Sequence, residues 1–300
     1  MPNSQPYRFG VNLFGIGDRE AFRAKCQRAE RRGFDILNIP DHLHAAAPFP
    51  MAVAAAEATE RVRVGTHVLN IGFWNPALLA REIATTDQLT GGRLDIGLGG
   101  GTVKAEFDEA GIPWEPIGER MDRLETAIAE LNRILGEEDG SEREPRPVQR
   151  PRPPIMVGAS GERGLRVAAR HADILGYGGV QHVRGKQAGT LQLATAATGD
   201  ERMTCFRAQA GGRVDGMELS LLLQRVTLTA DRKGAAEEWY AGDPSLTVEE
   251  LLEAPGLLVG TVDEIVQQIH ERRERYGFTY FSVHEPSMDA MEEVIAALRG

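Results

Sequence analysis

Thr86 to Glu106 reads TDQLTGGRLDIGLGGGTVKAE, and the fold turns on how this stretch is parsed. It contains a helix end, a Gly91-Gly92 turn, a short apolar strand over Leu94 to Leu98 and three consecutive glycines, Gly99, Gly100 and Gly101. A strand that runs straight into glycines is one whose backbone must come close to something, usually a ligand. The dinucleotide fingerprint G-x-G-x-x-G is not met, because Thr102 stands where the third glycine after Gly97 and Gly99 should fall.

Outward from that strand, short β-rich runs alternate with amphipathic stretches, which predicts crossover units around a parallel sheet. Strands are expected at Tyr7 to Phe14, Phe34 to Pro40, Val62 to Asn70, Leu94 to Leu98, Ile155 to Gly158, Ala172 to Gly178, Glu218 to Thr229 and Phe278 to His284. Between them, Phe22, Cys26 and Ala29 mark the buried face of one helix. Met51 to Thr59 is an Ala-rich helix, and Pro76 opens another with Leu78, Leu79, Ile83 and Leu89 directed inward. Gly118 to Leu135 has a strong helical period through Met121, Leu124, Ile128, Leu131 and Leu135. Gly161 to His171, a stretch around Val262 to Ile269, and Met288 to Leu298 complete the helices. Eight strand-helix units in a chain of 300 residues predict a single-domain (β/α)8 TIM barrel, for which about 250 residues is usual, with a doubly wound sheet as the rival. Residues 179–216 form an irregular insertion holding one helix around Leu191 to Ala197 or none. The charged, proline-rich run 137–154 reads as an exposed excursion.

A net charge of -10 argues against a nucleic-acid partner. Cys26 and Cys205 lie far apart without a C-x-x-C partner, which fits buried thiols in a reducing cytosol. No apolar signal core and no run of about 18 apolar residues is present, so a cytoplasmic protein without a membrane partner is expected.

In a parallel barrel, ligands meet the C-terminal ends of the strands. The residues there are Asp41 and His42, Asn70 to Gly72, Gly99 to Thr102, Gly158 to Arg163, Tyr177 to Gly179, and His284 with Glu285. Gly158-Ala159-Ser160-Gly161-Glu162-Arg163 joins a strand to a helix start, where free N–H groups and the helix dipole favour an anion; an ordinary serine cap is the alternative. His42 can move protons at neutral pH. His42-Leu43-His44 also has metal-ligand spacing, but only His284 stands at a credible position to complete a metal site, and none is expected. His67 falls mid-strand and reads as a core residue.

The order and spacing of several short motifs resemble the luciferase-like monooxygenase superfamily, within it the actinobacterial coenzyme F420-dependent oxidoreductases. They are Gly33-Phe34-Asp35, Pro40-Asp41-His42, Val68-Leu69-Asn70, Asn75 to Ala80, Gly91-Gly92-Arg93, Gly97 to Glu106, residues 153–178, Leu258 to Asp263 and Tyr280 to His284. The resemblance implies a barrel that holds the deazaflavin F420, or less often FMN, in its mouth. It implies a bulge at the end of strand three that props the ring, formed by Asn70, Ile71 and Gly72, often with a non-prolyl cis peptide. Gly99, Gly100, Gly101 and Thr102 would lie against the ring. The loop Gly158, Ala159, Ser160, Gly161, Glu162, Arg163 would hold the phosphate, and Tyr177 and Gly178 would join the cofactor site. His42 and Asp41 are the expected catalytic pair, with Asp41 orienting His42 or touching the ring. The deazaflavin glucose-6-phosphate dehydrogenases carry a tryptophan where this chain has Ala46 and a glutamate where it has Thr102. Nearer relatives read Arg-His-Pro where Trp74-Asn75-Pro76 stands here. A sugar-phosphate substrate is therefore not expected. A hydride transfer to C=C or C=N in a small molecule or peptide-derived substrate, by a homodimer, is expected instead. An FMN monooxygenase, a metal-dependent hydrolase and a non-catalytic cofactor-binding barrel are the alternatives.

Overall fold

This computed structural model describes residues 5–136, 144–183, 190–242 and 246–300. In chain order the strands are β1 (Arg8–Asn12), β2 (Ile36–Ile39), β3 (Arg63–Thr66), β4 (Leu69–Asn70), β5 (Leu94–Gly99), β6 (Ile155–Ala159), β7 (Ile174–Tyr177), β8 (Val180–His182), β9 (Leu191–Leu193), β10 (Glu218–Leu223), β11 (Arg225–Leu228), β12 (Leu257–Gly260) and β13 (Tyr280–His284). The helices are α1 (Arg19–Arg31), α2 (Pro48–Ala58), α3 (Pro76–Leu89), α4 (Lys104–Glu109), α5 (Ile117–Leu135), α6 (Glu162–His171), α7 (Ala196–Ala210), α8 (Arg232–Gly242), α9 (Val248–Glu253), α10 (Val262–Tyr276) and α11 (Met288–Arg299). The main sheet runs β3-β2-β1-β13-β10-β7-β6-β5-β4, and pairing of β3 with β5 closes it. Because β3 and β4 are two pieces of one position, the result is the expected eight-stranded parallel barrel with helices between the strands.

Residues alternate across each strand. Phe9, Val11, Leu37, Val64, Leu94, Ile96, Leu98, Phe281 and Val283 join the large core between barrel and helices. Ile36, Met156, Ile174 and Tyr280, with Val68 against them, form a separate small cluster. The helices bury the faces that periodicity assigned. Phe22, Cys26 and Ala29 of α1 are buried under an Asp18 cap that accepts from Ala21 N at 2.7 Å, and Met121, Leu124, Ile128, Leu131 and Leu135 of α5 are buried.

At the strand starts the barrel is plugged by charge. Arg8 pairs with Asp95 and, at 2.6 Å, with Glu218, while Arg63 Nε donates to Asp95 at 2.7 Å. Burial works against the Arg8 charge, but Asp95 and Glu218 outweigh it and hold the guanidinium protonated more firmly than usual. Such a plug leaves the strand C-termini as the ligand end.

Several expectations are corrected. Leu78 and Leu89 of α3 are 52% and 57% exposed, because only Leu79 and Ile83 lie on the arc that meets the barrel. The strand expected over Val62 to Asn70 is broken by a cis His67-Val68 peptide. The strand expected over Glu218 to Thr229 is two: the chain leaves the barrel at Gln224, whose N–H donates to Gly256 O at 2.8 Å, and β11 pairs with β12 in a satellite sheet. The polar pair Gln224-Arg225 marks the interruption of the run but not the new partner. Where one helix around Leu191 to Ala197 or none was expected, the insertion holds β9, hairpinned to β8, followed by α7 from Ala196; residues 184–189 of that insertion lie outside the described residues. The proline-rich excursion is partly anchored. Residues 137–143 lie outside the described residues, but Gln149 Nε2 donates to Asp87 at 2.7 Å and to Leu94 O at 2.7 Å beneath the barrel.

The inward glycines of β5 and β6 accommodate Val68. A Cβ on Gly97 would collide with the carbonyl oxygen of Thr66, one on Gly99 would stand 2.7 Å from Val68 Cγ2, and one on Gly158 3.1 Å from Val68 Cγ1. We expect Gly97→Ala and Gly99→Ala each to lower stability by roughly 1–3 kcal/mol in chemical denaturation, as overpacking does. Val68→Ala should recover most of the loss for Gly99→Ala and little for Gly97→Ala, whose obstacle is backbone. Equal recovery in both would show that Val68 is not what the glycines accommodate.

Candidate active site

The site grows from the ends of β2, β4 and β5. Past β2, Asp41 turns its carboxylate toward the break after β3. Its Oδ2 accepts from Asn70 N at 3.1 Å and from Trp74 Nε1 at 2.9 Å. Burial pushes the Asp41 carboxyl up, against the pull of these donors. His42 Nδ1 lies 2.8 Å from Glu106 Oε1; the imidazole is 43% exposed, whereas the Glu106 side chain is 10% exposed. A carboxylate accepts only, so Nδ1 carries the proton and Nε2 is the free nitrogen of the ring. Two residues on, His44 Nε2 meets Glu109 at 3.0 Å on the surface. The two histidines that share metal-ligand spacing therefore each pair with a different glutamate of α4.

The glycine run is held by protein on its near side. Asn70 Oδ1 accepts from Gly72 N at 3.1 Å. Gly101 has φ +76°, and a Cβ there would stand 2.6 Å from both Asn70 Oδ1 and Phe107. A Cβ on Gly72 would meet the same Phe107 ring at 2.6 Å. Gly100 is crowded by Met121, and Arg120 donates to the carbonyls of Gly100, at 3.3 Å, and Gly101. That guanidinium sits 3.7 Å from the centre of the Trp114 ring. The backbone approach read from the glycines is thus first an approach to Val68, Met121 and Phe107. Thr102 follows on the exposed rim, and Ile71 packs into the core.

Across the mouth, β6 delivers Ser160 and Gly161 to the start of α6. Gly161 caps that helix without any side-chain hydrogen bond, so the first amides of α6 have no side-chain cap, and a Cβ on Gly161 would meet nothing within 4 Å. Ser160 Oγ lies beside Gly178 and the Arg163 guanidinium beside Gly118. Glu162 is exposed, whereas Ala159 and Tyr177 turn into the core, where Tyr177 stacks on Phe278 at 5.9 Å. The structure therefore groups Asp41, His42 and Asn70 on one side and Ser160, Gly161 and Gly178 on the other; Ile71, Ala159 and Tyr177 face the core instead.

Sequence reasoning missed Glu106, Trp74, Arg120 and the inner layer of the barrel. In that layer Asn38 Nδ2 donates to Tyr280 OH at 2.8 Å and to Ser282 Oγ at 3.0 Å, Ser282 Oγ donates to Asn12 Oδ1 at 3.0 Å, and Asn12 Nδ2 lies 3.4 Å from His67 Nδ1. Glu106 stood in the quoted stretch, but nothing in its spacing separates it from Glu109; the register of α4 does.

The family pattern for luciferase-like monooxygenases matches residues 16–280. The chain belongs to that family. Among curated relatives, this luciferase-like chain is 33% identical over 171 residues to an FMNH2-dependent dimethylsulfone monooxygenase of Pseudomonas putida, which covers 50% of this chain and 46% of that protein. It is 41% identical over 122 residues to an F420-dependent glucose-6-phosphate dehydrogenase of Intrasporangium calvum, over 37% of this chain and 36% of that one. The luciferase-like match thus spans half or less of the length of these relatives. Among solved structures, the coenzyme F420-dependent tetrahydromethanopterin reductase of Methanopyrus kandleri superposes with a TM-score of 0.69 at 19% identity, over 97% of this chain and 98% of that one. That likeness concerns the fold. Among the described residues of this luciferase-like barrel, no cluster of three or more His, Cys, Asp or Glu could hold a metal ion, and no helix is long and apolar enough to cross a membrane.

The raised Asp41 carboxyl gives a signed expectation. A carboxyl whose folded-state pKa lies above its unfolded value is a stability penalty that is absent below both values and complete above both. Asp41→Asn keeps an acceptor for Trp74 and Asn70 but removes the charge. The melting temperature of the variant relative to the parent should therefore climb as pH rises from about 3 to about 7. A difference that stays flat or falls with pH would contradict the burial reading of Asp41.

Proposed function

We propose that the chain is an oxidoreductase that uses coenzyme F420 and transfers hydride between the deazaflavin C5 and a small organic or peptide-derived substrate, reducing C=C or C=N. The observation that carries this reading is the His42–Glu106 pair beside Asp41 at the ligand end of the barrel: a proton-carrying imidazole fixed at one nitrogen and free at the other. The chain's relatives include both F420-dependent and FMN-dependent enzymes.

The residues fit such a cofactor. The start of α6, which lacks a side-chain cap, and Ser160 just before it suit a phosphate, while the Arg163 guanidinium lies toward Gly118. The β3–β4 break with Asn70, Gly72 and the backbone of Ile71, and the rim from Gly99 to Thr102, would border the ring, and Gly158 and Gly178 present no side chain. Bound there, the deazaflavin would supply two-electron hydride chemistry. The protein's own residues do the rest. Glu106, buried and bonded to Nδ1, fixes the tautomer and orientation of His42, so that Nε2 can hold or release the proton that accompanies hydride transfer. Asp41 holds the Asn70 amide and the Trp74 ring in place and so shapes the wall next to His42. A cytoplasmic homodimer belongs to the same reading, and sedimentation velocity checks the oligomeric state.

FMN is the second reading, favoured by the FMNH2-dependent relative. Titration of the purified protein with oxidised F420 and with FMN separates the two. Tighter binding of F420 is expected, and micromolar FMN binding with no F420 binding would overturn the deazaflavin reading. Against a panel of activated alkenes and imines with reduced F420, His42→Ala should lower turnover by about 100-fold or more while changing F420 affinity less than about threefold, the range for losing a general acid. Unchanged turnover would remove His42 from proton transfer.

A further inference from the structure

His67 contributes an imidazole to the interior of the barrel, and none of the roles assigned above uses it. Its Nε2 is sealed from solvent and meets no protein partner among the described residues. Burial, with His284 nearby, pushes the imidazole down to about 4, and burial lowers His284 as well, so both rings are neutral at neutral pH. The hydrogen-bond chain fixes the proton. Asn38 spends its amide group on Tyr280 and Ser282, Ser282 donates to Asn12 Oδ1, and Asn12 is left with its amide group toward His67 Nδ1. Facing that amide, Nδ1 accepts and the proton of neutral His67 sits on Nε2; the ring's contact with its own backbone carbonyl favours the opposite tautomer, and the measurement below distinguishes the two. The barrel interior holds an enclosed N–H donor with no acceptor, a group that native structures rarely leave unmet.

The position of this donor is informative. His67 immediately precedes Val68, the residue seated against Gly97, Gly99 and Gly158, and β1 aligns Asn12 with His284 across the same interior. The donor thus lies behind the break where the proposed cofactor ring would rest. Carboxylates are absent from the groups bonded to it: Asn12 faces its Nδ1, His284 is the charged-capable neighbour, and Phe14 covers His284 at 5.7 Å.

We infer that His67 is a binding residue: its Nε2–H donates to an acceptor atom, a carbonyl or phenolate oxygen or a ring nitrogen, on the edge of a planar ligand lodged in the barrel mouth. The inference rests on the mouth being a ligand site, as proposed above, and deepens it by naming the atom type recognised there. The acceptor can belong to the deazaflavin ring or to a carbonyl-bearing substrate, and both present the same chemistry to Nε2.

The test uses the full chain with ¹⁵N-labelled histidine, and the variants His67→Leu, which removes the donor, and His67→Gln, which keeps one. In the free parent the His67 ring should show the Nε2–H tautomer, and its Nε2 resonance should move on saturation with oxidised F420 or, in the F420-loaded protein, with cyclohex-2-enone. His67→Leu should weaken the ligand that moves it by about 10- to 100-fold, the value of one enclosed hydrogen bond, and His67→Gln by only a few fold. A loss confined to F420 places the acceptor on the cofactor, and a loss confined to the enone places it on the substrate; either supports the inference. An Nδ1–H tautomer overturns it. So does an Nε2 resonance that ignores both ligands, or unchanged affinity for both in His67→Leu. Failure of the parent to bind F420 or FMN at all is a different result: it overturns the cofactor reading itself and with it the ligand assigned to His67.

Discussion

Val68 pressed against the bare backbone of Gly97, Gly99 and Gly158 is the contact on which the ligand end of this barrel depends. In a regular strand, position 68 would continue β3 and alternate outward. Here it packs with the inner cluster of Ile36, Met156, Ile174 and Tyr280, and three glycines give it room. Side-chain volume has moved from β5 and β6 onto the break after β3. The restart of that strand, β4, pairs with the end of β5 at Asn70 and Gly99. That register carries the Asn70 amide to Asp41 and its side-chain oxygen to Gly72 and the edge of Gly101. The rim is then locked from the other side by Arg120 on the carbonyls of Gly100 and Gly101. The glycine run ends where α4 begins, and α4 brings Glu106 to His42. One packing exchange thus sets three of the walls of the site.

The two ends of the barrel are electrostatically unlike. The floor concentrates the charged side chains Arg8, Arg63, Asp95 and Glu218, bonded to one another; close partners outweigh burial for Arg8, whereas burial still pushes the Glu218 carboxyl up. The layer toward the mouth is built from neutral donors and acceptors, Asn12, Asn38, Ser282, Tyr280, His67 and His284, where burial keeps both imidazoles uncharged. Ionisable side chains return at the rim, with Asp41, His42, Glu106 and Arg120. A planar, weakly charged ring can enter such an interior without meeting an unpaired ion, while an anionic tail would find the start of α6, which lacks a side-chain cap, at the edge.

Much of this was legible in the chain. Eight β-rich runs separated by helical periods gave the barrel and the strand ends gave the rim, because alternation and 3.6-residue spacing report burial directly. What could not be read is whatever depends on a partner chosen in three dimensions. The run from Glu218 to Thr229 is interrupted by the polar pair Gln224-Arg225, but nothing local says that the chain leaves the barrel there for the satellite sheet. Leu78 and Leu89 fit a helical stripe but fall at its edges, where a few tens of degrees separate core from solvent. Glu106 and Glu109 are equivalent on paper; only the turn of α4 sends one beneath His42. His67 looked like a core residue, and its meaning came from a hydrogen-bond chain through Asn38, Ser282 and Asn12, residues 55 to 270 positions apart along its links. The glycines were read as an approach to a ligand, and their first contacts proved to be Val68, Met121 and Phe107.

A crystal structure of the chain soaked with oxidised F420 tests the central claim, that this mouth is a deazaflavin site organised by the β3–β4 break and the His42–Glu106 pair. The account predicts the ring against the break, the phosphate at the first amides of α6, and His42 still bonded to Glu106 with Nε2 toward the ligand. A ring bound elsewhere, or His42 turned away from both Glu106 and the ligand, would contradict it.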